Sequence, residues 1–159
     1  MEIKKFSRAY QQQVIDLILS IQVEEFNVSI TAAAQPDLKN IPEFYQKGNG
    51  NFWVALDNEN VIGTIALVDI GDNIAALRKM FVHKNWRGKE KATAQHLLNT
   101  VFNWSKENKI EHIYLGTIER FYAARRFYEK NGFTEISKSS LPSSFPVMTV
   151  DDHFYHYCM

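Results

Sequence analysis

From Tyr10 to Phe26 the apolar residues Val14, Ile15, Leu17, Ile18, Leu19, Ile21 and Val23 form a broad stripe among glutamines and glutamates, a pattern that predicts an amphipathic helix. A shorter helix is expected from Leu38 to Gln46, capped by Asp37 after Pro36 and stopped by Gly48-Asn49-Gly50. The period then changes. Phe52–Leu56 and Val61–Val68, divided by the polar Asp57-Asn58-Glu59-Asn60, predict an antiparallel hairpin. Ile74–Val82 predicts a third strand, with Leu77, Lys79 and Phe81 on one face and Arg78, Met80 and Val82 on the other. Glu90–Asn108 predicts the clearest helix, its stripe formed by Ala94, Leu97, Leu98, Val101, Phe102 and Trp104. Beyond it come a strand over Ile110–Thr117, a helix over Arg120–Lys130 stopped by Asn131-Gly132, a strand over Phe133–Ile136, and a last strand within Thr149–Cys158.

This order describes a mixed α/β domain in which a meander feeds a strand-helix-strand crossover, and no repeat or linker divides it, so one domain over 1–159 is expected. Its 18 basic and 18 acidic residues cancel, which removes the broad electrostatic footprint of a nucleic-acid binder. The single cysteine, Cys158, allows no internal disulfide and no thiolate metal site, which fits a reducing, cytoplasmic setting. No stretch approaches the roughly 18 apolar residues that cross a bilayer, so no membrane role is expected. His83, His96, His112, His153 and His156 are spaced without a shared metal site in view.

The chemistry concentrates where the third strand ends. A strand running through His83-Lys84-Asn85-Trp86-Arg87-Gly88-Lys89 into a helix directs unpaired backbone N–H groups and the positive helix end at one spot, a phosphate site. Arg87, Lys89 and Lys91 add charge, and Gly88, Ala92 and Ala94 leave room for an anion to approach the backbone.

The run from Leu77 to Lys89 resembles the strand and pyrophosphate loop of GNAT acetyltransferases. Ala124-Arg-Arg-Phe127-Tyr128-Glu129-Lys130-Asn131-Gly132-Phe133 resembles their second signature. The family's loop reads Gln/Arg-x-x-Gly-x-Gly/Ala. Counted from Arg87, Glu90 takes the place of a glycine. Counted back from Leu97-Leu98, the motif becomes Lys89-x-x-Ala92-x-Ala94, which keeps the helix's buried face in phase and makes Glu90 a first-turn acid. The second signature departs at Phe121, where an asparagine is frequent.

The resemblance implies a GNAT-like fold, a mostly antiparallel sheet flanked by helices. It also implies transfer of an acetyl group from acetyl-coenzyme A to a primary amine of a small molecule or peptide, in a ternary complex without a covalent enzyme intermediate. It places the cofactor on Met80, Phe81, Val82, Arg87, Gly88, Lys89, Glu90, Lys91, Ala92, Thr93, Ala94 and Tyr128. A backbone N–H of Met80–Val82 would stabilise the charged thioester oxygen and Tyr128 would protonate the leaving thiolate. Where many relatives carry a basic carboxylate this chain has Arg78, a residue suited to gripping an anionic acceptor. Glu24 and Glu25, at the end of the first helix, are then the candidate bases. Two other readings stay open: a coenzyme A-binding domain without catalysis, and an interaction module using Phe154-Tyr155-His156-Tyr157. A homodimer is compatible with either.

Overall fold

The computed structural model describes all residues, Met1–Met159. Its centre is a seven-stranded sheet in the order β1-β2-β3-β4-β5-β7-β6. The strands are β1 Glu2–Lys5, β2 Asn51–Asp57, β3 Asn60–Asp69, β4 Ile74–Val82, β5 His112–Thr117, β6 Thr134–Ile136 and β7 His153–Cys158. Only β4 and β5 pair in parallel, as the intervening α3 (Thr93–Glu107) requires, and every other neighbour is antiparallel. The expected meander, crossover and final strand are therefore present.

Both faces of the sheet's first half are covered, which explains why β2 and β3 read as nearly continuous apolar runs. Phe52, Val54, Leu56 and Ala66 face α1 (Gln11–Leu19) and its buried Val14, Ile15, Leu17 and Ile18. Trp53, Ala55, Ile65 and Leu67 face the other way, against Leu97, Leu98 and Val101 of α3. Burying each large aliphatic side chain contributes about 1.5–3 kcal/mol, so these two stripes fix the helices on opposite faces.

Three expectations need correction, and one strand was not expected at all. Glu2-Ile3-Lys4-Lys5 forms the edge strand β1, although only Ile3 of the four is even half-buried; lysines suit an edge that must not recruit another strand. The first helix does not run evenly to Phe26: after Leu19 it widens into a π turn over Ser20–Glu25. The second breaks into a 3₁₀ turn over Pro36–Lys39 and a short α2, Ile41–Phe44. Asp37 is buried there and accepts a 2.6 Å hydrogen bond from Tyr45 Oη instead of capping a helix. Lastly, α3 starts at Thr93, leaving Glu90 exposed in the preceding turn with no acid in the helix's first turn.

Candidate active site

β4 and β5 pair only over Ile74, Ala75 and Ala76, opposite His112, Ile113 and Tyr114. Beyond Ala76 they separate, opening a gap between the C-terminal ends of the two strands. On the other side, β4 keeps its ladder with β3 through a bulge: Ala66 pairs with Arg78 but Thr64 pairs with Phe81, so β4 carries one extra residue. Lys79 sits at that bulge with φ +56°, and its carbonyl accepts a 2.6 Å bond from Thr64 Oγ1. The expected strict alternation is thus broken. Arg78 and Lys79 share one face, while Met80 and Val82 pack with Leu77 on the opposite one and Phe81 returns to the α1 face.

The bulge also sets the backbone donors. His83 N–H donates to Ile62 O on β3, so alternation turns the Met80 and Val82 N–H groups away from β3, toward the gap. The same edge presents Val82 O, which accepts from Arg87 Nε at 2.8 Å.

Past Val82, the loop makes a 3₁₀ turn over Lys84–Trp86, which His83 caps by accepting from the Asn85 N–H through Nδ1. Gly88 follows at φ +100° in open space. Lys89, Glu90 and Lys91 are exposed, with Lys91 Nζ 4.8 Å above the Trp86 ring. Ala92 enters α3 at φ +52°, a left-handed conformation in which a Cβ is strained, and offers no side-chain cap. The first-turn N–H groups at Thr93 and Ala94 are therefore uncapped. Thr93 Oγ1, buried at the first position of α3, has no partner in the protein. An orphaned hydroxyl beside uncapped amides fits an anionic group at this end of the gap.

The gap opens into a cavity of about 120 Å³ lined by residues of β4, β5, α4 (Tyr122–Lys130) and the loop before β7. Tyr128 reaches it from α4; it is 5% exposed, and burial, reinforced by the negative charge of Asp151, pushes its pKa far above the ordinary value. The hydroxyl therefore stays protonated at any working pH and serves as a donor. Asp151 lines the same cavity. Its carboxylate stands over the backbone of Gly116, so close that a Cβ there would meet Oδ2 at 2.5 Å. Burial raises its pKa to about 6, with Arg78 and Lys79 opposing and Asp152 adding to the rise.

A chain of buried polar groups forms the opposite wall. The π turn directs Gln22 inward, where its Oε1 accepts from Gln35 Nε2 at 2.8 Å. Gln35 Oε1 accepts from Lys79 Nζ at 2.5 Å, and Lys79 pairs with Asp37 at 3.5 Å. Burial lowers the Lys79 pKa to about 8, although Asp37 favours its charged form.

Two expected roles change. Glu24 and Glu25 are exposed and line no part of this cavity. Glu25 is held by Arg87 in a two-point ion pair, with Nη2 2.9 Å from Oε2, and that hydrogen bonding lowers its pKa. Arg87 correspondingly braces the loop between Glu25 and Val82 O rather than presenting a free guanidinium to an anion. Asp151 went unnoticed in the sequence because its place depends on Gly116, 35 positions upstream; the only local signal was an acidic pair, Asp151-Asp152, at the entrance to a strand.

A sheet opened between its two parallel strands, with a phosphate-sized loop at one end and a titratable cavity at the other, defines an acyltransferase of the acyl-coenzyme A-dependent class. Residues 15–133 match the Acetyltransferase (GNAT) family, and the chain belongs to it. A GNAT-family acetyltransferase from Staphylococcus aureus Mu50 is 44% identical, with TM-score 0.95 over 99% of this chain and 98% of that one. The N-acetylaspartate synthetase of Xenopus tropicalis is 35% identical over 109 residues, 67% of this chain and 40% of that protein; the chain thus spans about two-fifths of that relative's length. The PaiA N-acetyltransferase of Thermoplasma acidophilum, solved with coenzyme A, shares the fold at TM-score 0.73 and 17% identity, covering 99% of this chain and 98% of that one.

Proposed function

We propose that the chain moves the acetyl group of acetyl-coenzyme A to the primary amine of a small acceptor by direct attack in a ternary complex. The observation that carries this reading is the placement of Asp151 and Tyr128 around one cavity at the open end of β4. Bound acetyl-coenzyme A supplies the thioester-activated acetyl group. Its pyrophosphate would lie on Gly88, Lys89, Lys91 and the start of α3 at Ala92, Thr93 and Ala94. The Val82 N–H, with Met80 N–H on the same edge, donates to the carbonyl oxygen as negative charge gathers there. Asp151, ionised at neutral pH, takes the proton from the acceptor's ammonium, directly or through one water. Tyr128 donates its hydroxyl hydrogen toward the departing sulfur.

The small size of the cavity supports a small acceptor, as does the name of the Xenopus relative. The test combines calorimetric titration with coenzyme A and assay of thiol release across an amine panel. We expect turnover by the wild type and a fall in kcat of about 10²-fold or more in both Asp151→Asn and Tyr128→Phe, with coenzyme A affinity retained. Tight coenzyme A binding without turnover on any amine would favour a binding domain without catalysis; no binding would leave only the interaction reading.

A further inference from the structure

The bulge at Lys79 places two consecutive cations on the same side of β4, a juxtaposition that a regular strand forbids. Lys79 is ion-paired there with Asp37 and donates a hydrogen bond to Gln35 Oε1. Arg78 is not. It lies half-buried in the cavity wall over the rings of Phe44 and Tyr45, at 5.5 and 5.9 Å, and forms no ion pair. Its one hydrogen-bond partner is Met148 Sδ, 3.4 Å from Nη2, and a thioether is a weak acceptor. Five guanidinium donors fixed by aromatic stacking, facing a cavity, make a receptor for a planar anion.

The same cavity is lined by Asp151, the group that takes a proton from the amine in the function proposed above. We propose that the acceptor is a small amino-carboxylate, its carboxylate held by Arg78 in place of Met148 and its amine turned toward Asp151. This rests on the acetyl-transfer reading and adds which amines are chosen. An amine without a carboxylate would leave the guanidinium with no directly paired anion, only Met148 Sδ and the charge of Asp151 in the same cavity, which is where discrimination arises.

The experiment compares acceptors that differ only in the carboxylate: glycine and β-alanine against glycinamide and β-alaninamide. We expect kcat/KM at least about tenfold higher for the carboxylates. In Arg78→Gln that ratio should collapse toward one, chiefly through KM, and Arg78→Lys should restore part of it. A second measurement avoids the chemistry: calorimetric binding of the same acceptors to protein saturated with coenzyme A, in wild type and Arg78→Gln, with circular dichroism confirming that the variant is folded. Carboxylates that bind to wild type and not to Arg78→Gln sustain the clamp even when nothing turns over, in which case the transfer reading falls alone. Equal acetylation of amides and carboxylates, or a ratio unchanged by Arg78→Gln, overturns the clamp and leaves transfer standing. Absence of both binding and turnover for every carboxylate also overturns it.

Discussion

Asp151 carries opposite consequences for activity and stability. Its pKa is about 6 in the folded protein against an ordinary 3.8, so between these values the folded state holds more protons than the unfolded one. The stability contributed by this group is therefore complete below about pH 4 and lost as pH rises through 6. At pH 7.5 the ionised carboxylate is a net cost, and Asp151→Asn should stabilise the fold by about 1–2 kcal/mol, read from urea midpoints, while removing most turnover. The wild-type pH–rate profile should rise through about pH 6, and a profile flat from 5 to 8 would remove Asp151 as the base. Tyr128 could be found in the sequence because its helix carries a recognisable run of neighbours. Asp151 could not, since a carboxylate's pKa is set by what surrounds it in space. The acidity expected of Tyr128 likewise becomes, on burial, a hydroxyl that is harder to ionise.

Two short segments shape the ends of the site, and each turns on the presence or absence of one Cβ. Ala92 holds φ +52° at the entry to α3. Ala92→Gly relieves that strain and should raise stability by about 0.5–1 kcal/mol, net of glycine's entropy, with a higher denaturation midpoint at unchanged m-value. Gly116 is the converse case. In Gly116→Ala the new methyl would displace the Asp151 carboxylate, with Phe154 Cε1 a further 3.1 Å neighbour. The variant should lose activity about as far as Asp151→Asn does while keeping its circular dichroism spectrum; activity within about twofold of wild type would show that the carboxylate's position over Gly116 is immaterial. The long periodic elements were legible in the sequence, α3 above all, because burial of Leu97, Leu98 and Val101 follows helical spacing. The π turn and the broken second helix were not: the first arises to seat Gln22 against Gln35, and the second to bury Asp37 against Tyr45 and Lys79. These are tertiary demands that override local periodicity.

At the scale of the whole molecule, the site exists because one sheet is closed on one side of β4 and open on the other. The parallel pairing with β5 is given up after three residues, while the antiparallel pairing with β3 continues around an extra residue. That extra residue has a genetic consequence. Loss of one codon inside a central strand normally inverts every following side chain and destroys the core. Here it would not, because the faces of β4 on either side of Lys79 already count as though Lys79 were absent. Leu77 and Arg78 precede it, and Met80, Phe81 and Val82 resume the same alternation after it. An in-frame deletion of Lys79, made together with Asp37→Asn so that no buried carboxylate is stranded, should therefore yield a soluble protein with intact two-state unfolding and an unbroken β3–β4 ladder. By amide exchange, the Thr64–Phe81 region of that protein should be better protected than in the wild type. Failure to fold would show that the bulge is a structural necessity; a folded product with the ladder intact would mark Lys79 as a residue of β4 that the sheet itself can spare.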